Sequence, residues 1–254
     1  MASNLSTIGF PVASQHAYVD LTMRVAREGG SVPFPGGRYI LWSPGGGAEL
    51  WVRVAAGGPI EGGAVPHFAG PGRVKVSVIG VERHREHPTD GMIRAWADPE
   101  GPDPESGAYP FLVDVPDFER VAGALTELPA AAVLQVAAFA RQLDCWADED
   151  AYHEAEREKW GGRPGFASES FIPSGTFVPG GGDREVAEAI FTGEVEEAER
   201  VTNPATGASF HRLLVKTLGG RYDVVADPTV PNGEPAAGGV VQGTFWLTGR
   251  VVEA

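Results

Sequence analysis

The chain has 254 residues, of which 43% are hydrophobic, enough to bury the core of one large domain or of two to three small ones. Its 35 Gly and 21 Pro favour many turns and short strands over long helices. The formal net charge of -14 repels phosphate backbones and anionic membrane surfaces, so nucleic acid is a poor candidate partner and no membrane association is expected.

Further features of the composition bear on where the protein works. Only three of the 20 basic residues are Lys, a usage that, with the many Ala, Gly and Pro, is typical of a GC-rich bacterial genome. The first ten residues, MASNLSTIGF, have no basic stretch before an apolar core, which predicts no signal peptide. The single cysteine, Cys145, excludes an internal disulfide and a multi-cysteine zinc site. We therefore expect a cytoplasmic bacterial protein.

The first seventy residues predict a strand, a helix and two further strands. The helix has the clearest pattern, because Tyr18, Leu21 and Val25 fall on one apolar stripe. Gly29 and Gly30 end it. This order predicts a small sheet with a helix on one face. The four elements are expected at residues 7–12, 14–30, 37–43 and 48–55.

The turn between the last two of these strands reads SPGGGAEL, residues 43–50. Together with the β-α-β-β order, it resembles a half-module of the vicinal oxygen chelate (glyoxalase-like) family, whose turn reads Asp-Pro-x-Gly-x-x-Glu-Leu. The resemblance implies that Glu49 occupies a metal-ligand position. The family's first-strand His would fall near Thr7, a poor ligand for a divalent metal, so we predict no metal and place Glu49 at a solvated sheet edge. If the module keeps a pocket, Glu49, Trp51 and His67 are its candidate lining.

Four landmarks of the middle of the chain recur in the same order near the C-terminus, which predicts an internal duplication. Each copy would contain four or five curled strands, and strands of this length form a small closed barrel without exposed edges. In size and strand count each copy resembles an OB-like barrel. The matched segments are VSVIGVER (76–83) with AIFTGEVE (189–196), HPTDG (87–91) with NPATG (203–207), ADP (97–99) with ADP (226–228), and VLQ (133–135) with VVQ (240–242).

The duplication decides how residues 133–143, VLQVAAFARQL, are interpreted. Composition alone favours a helix, because the run is Ala-rich and unbroken. Alignment with residues 240–252, VVQGTFWLTGRVV, makes it the closing strand of the first barrel and sets Phe139 at the position of Trp246, on the outer face. Such an aromatic is either a stacking platform for a ligand or nucleic-acid strand, or is packed under a neighbouring domain. The acidic charge of the chain favours packing.

A connector is expected between the two barrels. Residues 144–162 predict a short helix with its acidic side chains outward and without the spacing of a calcium loop. The Gly- and Pro-rich stretch that follows contains large apolar side chains, which a free linker would expose, so we expect it to lie pinned across the protein surface. These side chains are Phe166, Phe171, Ile172 and Phe177.

The six histidines show no metal-ligand spacing. His84 and His87 would point to opposite faces of a strand, and Arg83 and Arg85 flank His84, so we expect a solvated, mildly basic rim. His67 is expected in a loop between the N-terminal module and the first barrel.

The predicted fold class is therefore α+β, predominantly antiparallel β, with a small βαββ module followed by two related OB-like β-barrels or half-barrels. No catalytic motif or cofactor fingerprint is present in the sequence, so we expect a non-enzymatic protein that binds a protein partner, or itself, and uses no cofactor. The alternatives are a degenerate glyoxalase-like small-molecule or metal-binding protein, and single-stranded nucleic-acid binding on Phe139 and Trp246. The expected divisions are the module (1–70), the first barrel (71–146), the connector (147–182) and the second barrel (183–254).

Overall fold

The structure is a computed structural model that describes residues 3–85, 87–163, 165–176 and 185–254. It is mostly β, with three α-helices. The helices are α1 (Gln15–Glu28), α2 (Phe118–Ala124) and α3 (Glu149–Lys159). The strands are β1 (Gly30–Phe34), β2 (Gly37–Gly45), β3 (Ala48–Ala55), β4 (Ile60–Phe68), β5 (Val74–Arg83), β6 (Gly91–Ala97), β7 (Tyr109–Asp114), β8 (Ala130–Trp146), β9 (Ser170–Ile172), β10 (Glu188–Thr202), β11 (Ser209–Thr217), β12 (Gly220–Ala226), β13 (Pro231–Asn232) and β14 (Val240–Glu253).

The N-terminal module consists of α1 and an antiparallel sheet of strand order β1-β2-β3-β4. The predicted helix is confirmed, and the side chain of Ser14 caps it by accepting a hydrogen bond from the Ala17 N–H at 3.1 Å. The Tyr18 hydroxyl donates to the carbonyl of Ala64 on β4 at 3.2 Å, and the N–H of Ala64 donates to the Thr22 hydroxyl at 3.3 Å. These bonds fix α1 against β4.

The strand predicted at residues 7–12 is wrong. A 3-10 turn, Ser6–Ile8, occupies its start and ends at Gly9, whose φ of 79° is left-handed and cannot continue a strand. The turn buries the consecutive side chains of Thr7 and Ile8, which an extended strand would point to opposite faces. The module is therefore one helix followed by four strands, and the β-α-β-β order expected from the sequence is not observed.

The other ten strands belong to one large mixed sheet that contains two units of the same connectivity. Unit 1 is β5 to β8, with strand order β7-β6-β5-β8, and unit 2 is β10, β11, β12 and β14, with order β12-β11-β10-β14. In each unit, three consecutive strands form an antiparallel meander. The fourth strand returns to pair with the first.

The units are joined through their fourth strands. β8 and β14 pair antiparallel, with Phe139 opposite Trp246. The third strand of each unit also pairs parallel with the fourth strand of the other: Asp223 of β12 lies opposite Ala137, and Asp114 of β7 lies opposite Thr248. These pairings make two closed circuits of five strands that share β8 and β14.

Residues 133–143 are confirmed as a strand, although their composition favours a helix. β8 pairs with β14 on one side and with β5 and then β12 on the other, so tertiary pairing overrides helix propensity. Three of the four repeat landmarks fall on corresponding strands and turns. The Ala-Asp-Pro pair does not, because Ala97 ends a second strand and Ala226 ends a third.

Two main clusters form the core. One lies within the mixed sheet, and the other lies between the module and the mixed sheet. The second cluster includes Leu50 and Val52 of the module together with Phe139, Phe210 and Val225 of the mixed sheet. Burial of this shared apolar surface holds the module against both units.

The connector follows the prediction in part. Its acidic segment forms α3. Phe171 on β9 is buried and stacks on Tyr109, as expected of a pinned segment, whereas Phe166 is 42% exposed. Phe177 lies outside the described residues.

Candidate functional site

A cavity of about 660 Å³ lies at the contact between the module and unit 1. The module contributes α1 and β4, and unit 1 contributes the end of β5, the β5–β6 turn and the end of β7. The rest of the wall comes from β14 and from Glu185 and Val186, which precede β10. The side chains that decide its chemistry are Tyr18, His84, Asp90, Asp114, Trp246 and Thr248. Of the residues considered at the sequence level as ligand-binding, only Trp246 lines this cavity.

Asp114 organises one wall of the cavity. One of its carboxylate oxygens lies 2.8 Å from Nε2 of His84, and the other accepts a hydrogen bond from Nε1 of Trp246 at 2.6 Å. Because both partners are held by one carboxylate at the end of β7, their orientation is fixed by the strand. The side chain of His84 is 26% exposed, so it is half-buried beside Asp114 and does not belong to a solvated rim.

Behind the cavity, Thr248 begins a chain of buried polar groups. Its hydroxyl lies 2.8 Å from Nδ1 of His67, and Nε2 of His67 lies 2.8 Å from Oε1 of Gln135. The Gln135 amide nitrogen donates to Asp223 at 2.7 Å and to the carbonyl of Phe68 at 3.0 Å. The amide oxygen is therefore the acceptor, so the proton of His67 is on Nε2 and Nδ1 accepts the hydroxyl proton of Thr248.

Burial determines the charge of the two ionisable side chains in this hydrogen-bonded row, His67 and Asp223. His67 is fully buried on β4, not in a loop, and burial lowers its pKa to about 3, which keeps it neutral. Burial raises the pKa of Asp223 to about 6. Asp223 accepts hydrogen bonds on one oxygen from Gln135 and from the Gly72 N–H, while its other oxygen has no partner among the described residues. The hydrogen bonds among Thr248, His67, Gln135 and Asp223 link β14, β4, β8 and β12, and we call this buried contact the seam.

Glu49 and Trp51 lie beside this seam and not in the cavity. Glu49 is buried on the inner strand β3, so the prediction of a solvated sheet edge is wrong. It accepts a hydrogen bond from Nε1 of Trp51 at 3.0 Å and faces Arg250 at 3.6 Å, and the Arg250 guanidinium lies over the Trp51 ring. Burial raises the pKa of Glu49, which the charge of Arg250 opposes. The carboxylate thus serves an internal ion pair.

Glu49 and His67 are opposite one another on β3 and β4, as a joint site would require, but their side chains bind different partners. Over the described ranges no group of three or more His, Cys, Asp or Glu side chains could hold a metal ion. The seam is better described as a structural contact between the module and the two units.

Phe139 is fully buried against the module and lies 5.0 Å from the Trp246 ring, centroid to centroid. The sequence alternative of packing under a neighbouring domain is confirmed for Phe139, which offers no exposed face for a nucleic-acid base. Trp246 is half-buried, with Phe139 against its ring and Asp114 on its indole nitrogen.

The β10–β11 turn of unit 2 corresponds in connectivity to the β5–β6 turn that borders the cavity. This turn packs directly on the module through two hydrogen bonds. The buried side chain of Asn203 donates to the carbonyl of Ile8 at 2.9 Å, and the Thr206 hydroxyl donates to the carbonyl of Gly9 at 2.6 Å. Among the described residues, the module thus bonds to the β10–β11 turn, whereas it faces the β5–β6 turn across the cavity.

Sequence reasoning missed Asp114, Gln135, Asp223 and Thr248. Asp223 and Gln135 carried a signal, because each is a polar residue inside an apolar run that becomes a strand. Asp114 and Thr248 carried none, since aspartates at strand ends and threonines within strands are common.

No family model, curated protein or solved structure matches the chain. Within the described part of the chain, no helix is both long and apolar enough to cross a membrane.

Proposed function

We propose that this chain is a non-enzymatic binding protein that takes a small organic molecule into the cavity between the module and unit 1. The observation that carries the proposal is the difference between the two hairpin turns. The β10–β11 turn is closed by Asn203 and Thr206, whereas the corresponding turn of unit 1 borders about 660 Å³ of open volume.

The volume and lining of the cavity support this proposal. Ligand sites for small molecules commonly measure about 300–1,000 Å³ and combine apolar walls with a few fixed polar groups. Here Val65, Met92 and Val115 supply apolar wall, while Asp114 is held on both oxygens. A wall built on strand ends is already ordered before a ligand arrives, which lowers the entropic cost of binding.

We further propose that units 1 and 2 are copies of one ancestral element, each contributing to an OB-like barrel. The shared strand order and the reciprocal pairing of β7 with β14 and of β12 with β8 support this duplication. In this proposal the copies diverged where they meet the module, one turn becoming a structural contact and the other the edge of a binding site.

The test is a ligand-observed NMR screen of small organic fragments of mixed charge, with wild-type protein and two variants. Thr89→Trp places a large ring in the wall of the cavity, and Thr229→Trp places the same ring at a shallow depression elsewhere. We expect fragments that bind the wild type to bind Thr229→Trp equally and to lose binding to Thr89→Trp. Fragments that bind all three proteins alike, or no binding at all, would refute the proposal.

A second candidate function, self-association, is favoured by an exposed aromatic pair. Trp160 and Phe166 are 46% and 42% exposed, and the carboxylate of buried Glu156 accepts hydrogen bonds from Nε1 of Trp160 and from the Phe166 N–H, each at 3.0 Å. An ordered aromatic pair of this kind is typical of a contact surface. Sedimentation velocity of wild type and Trp160→Ala tests it: a dimer lost in the variant supports it, and a wild-type monomer at all concentrations contradicts it.

A further inference from the structure

Among the described residues, the aromatic side chains of Tyr18 and Trp246 line the cavity together with the carboxylates of Asp90 and Asp114. Trp246 donates its indole N–H to Asp114 at 2.6 Å. On the module side, burial raises the pKa of the Tyr18 phenol, and the negative charge of Asp90 nearby raises it further. The cavity therefore combines two aromatic rings, Trp246 and Tyr18, with two carboxylates, Asp114 and Asp90.

We infer that the ligand of this cavity is an organic cation, an ammonium group carried on an aromatic or apolar body. The inference rests on the proposed function and names the chemical class that the site takes. Ammonium groups are attracted both to the faces of Trp and Tyr rings and to carboxylates, and the attraction strengthens where the site is partly desolvated.

The charges of the lining support a cation over an anion. Among the described residues, four carboxylates line the cavity against two guanidinium groups. One guanidinium, Arg83, already binds Glu119 through two hydrogen bonds of 2.7 Å. An anion would therefore enter against the charges of Asp90 and Asp114, which raises the cost of removing it from water.

Asp90 is the carboxylate with the fewest competing partners. Two of the other acids, Glu82 and Glu185, share Arg94, and Asp114 holds His84 and Trp246. Among the described residues the side chain of Asp90 accepts one hydrogen bond, from the hydroxyl of the adjacent Thr89 at 3.2 Å. Its charge is thus available to a ligand.

The basic groups of the β5–β6 turn belong to the same wall. His84 is held by Asp114, and His84 and Arg85 each have further contacts, while His87 is exposed. His84, Arg85 and His87 line the cavity, so we expect the cationic group at the rings of Trp246 and Tyr18, away from the Arg85 guanidinium.

The experiment compares three probes of one shape and different charge: benzylamine, benzyl alcohol and benzoate. Affinity is measured by calorimetry at pH 7.5 on the full chain. We expect benzylamine to bind about tenfold or more tightly than benzyl alcohol, and benzoate more weakly than either. The preference should fall about tenfold in Asp90→Asn and persist in Glu127→Gln, an exposed acid that lines neither the cavity nor the depression at Thr229.

Trp246→Phe gives a second readout, because it keeps an aromatic ring and removes the hydrogen bond to Asp114. We expect it to weaken benzylamine and leave the charge order of the probes intact. Equal binding of all three probes, tighter binding of benzoate, or an unchanged preference in Asp90→Asn would overturn the inference. These results would leave the proposed function standing. That proposal fails separately, if no fragment in the NMR screen binds the wild type and loses binding to Thr89→Trp.

Discussion

The buried pair His67 and Asp223 predicts an unusual dependence of stability on pH. Burial raises the pKa of Asp223 from 3.8 to about 6 and lowers that of His67 from 6.5 to about 3. The contribution of Asp223 to stability is therefore present below pH 3.8 and lost as the pH rises through 6. That of His67 is present above pH 6.5 and lost as the pH falls through 3.

Between about pH 4 and pH 6 these two effects cancel. The folded pair then holds one proton, on Asp223, and the unfolded pair also holds one proton, on His67, so the pair adds no slope to the unfolding free energy. Asp223→Asn removes the titration of Asp223 and leaves that of His67 uncompensated. Relative to wild type, the variant should lose about 2 kcal/mol of unfolding free energy as the pH falls from 7 to 4.

The assay is urea unfolding of wild type and variant at half-unit steps of pH, comparing differences so that other titrations cancel. His67→Gln is the matched control, because it leaves only the Asp223 linkage and should become relatively more stable over the same fall in pH. A difference between Asp223→Asn and wild type that stays constant with pH, or a trend of the same sign in both variants, would refute the reasoning.

Three further predictions test the packing. Phe139→Ala empties a fully buried site between the module and the mixed sheet, and should lower the unfolding free energy in urea by about 3–5 kcal/mol. Glu119→Gln leaves two guanidinium groups without their shared carboxylate and should cost about 1–3 kcal/mol, whereas the exposed Glu199→Gln should cost less than about 0.5 kcal/mol in the same assay. Fragments 1–146 and 147–254 should each lack a cooperative monomeric transition by circular dichroism and regain it on mixing, because each circuit needs the other fragment's long strand; a fragment that folds alone contradicts this.

Local patterns in the sequence predicted most of the elements. The stripe on α1 and the alternation along β14 each report burial of one face, which requires only neighbouring residues to be read. β8 was predicted only by comparison with β14, since its own Ala-rich run favours a helix. The strand at residues 7–12 failed because Gly9 takes a left-handed conformation that alternation does not reveal.

The site could not be predicted because its residues meet through long-range pairing. Asp114 reaches Trp246 across 132 positions, and His67 reaches Thr248 across 181. Periodicity identifies which face of a strand is buried, but not which strand covers it. Glu49 shows the same limit: its motif suggested a metal ligand, while its surroundings supplied Arg250 as a partner.

The position of the cavity follows from joining one module to two similar units. Units of the same strand order present two corresponding turns to the module, but the module is a single helix and sheet and cannot meet both turns with the same surface. Its 3-10 turn fits the β10–β11 turn, where Asn203 and Thr206 bond to the backbone of Ile8 and Gly9. The β5–β6 turn faces α1 and β4 instead. Among the described residues, no backbone hydrogen bond joins that turn to α1 or β4. Because the module fits one turn and not the other, an open volume remains at the β5–β6 turn. Asp114 and Trp246 supply the polar and aromatic groups that line it.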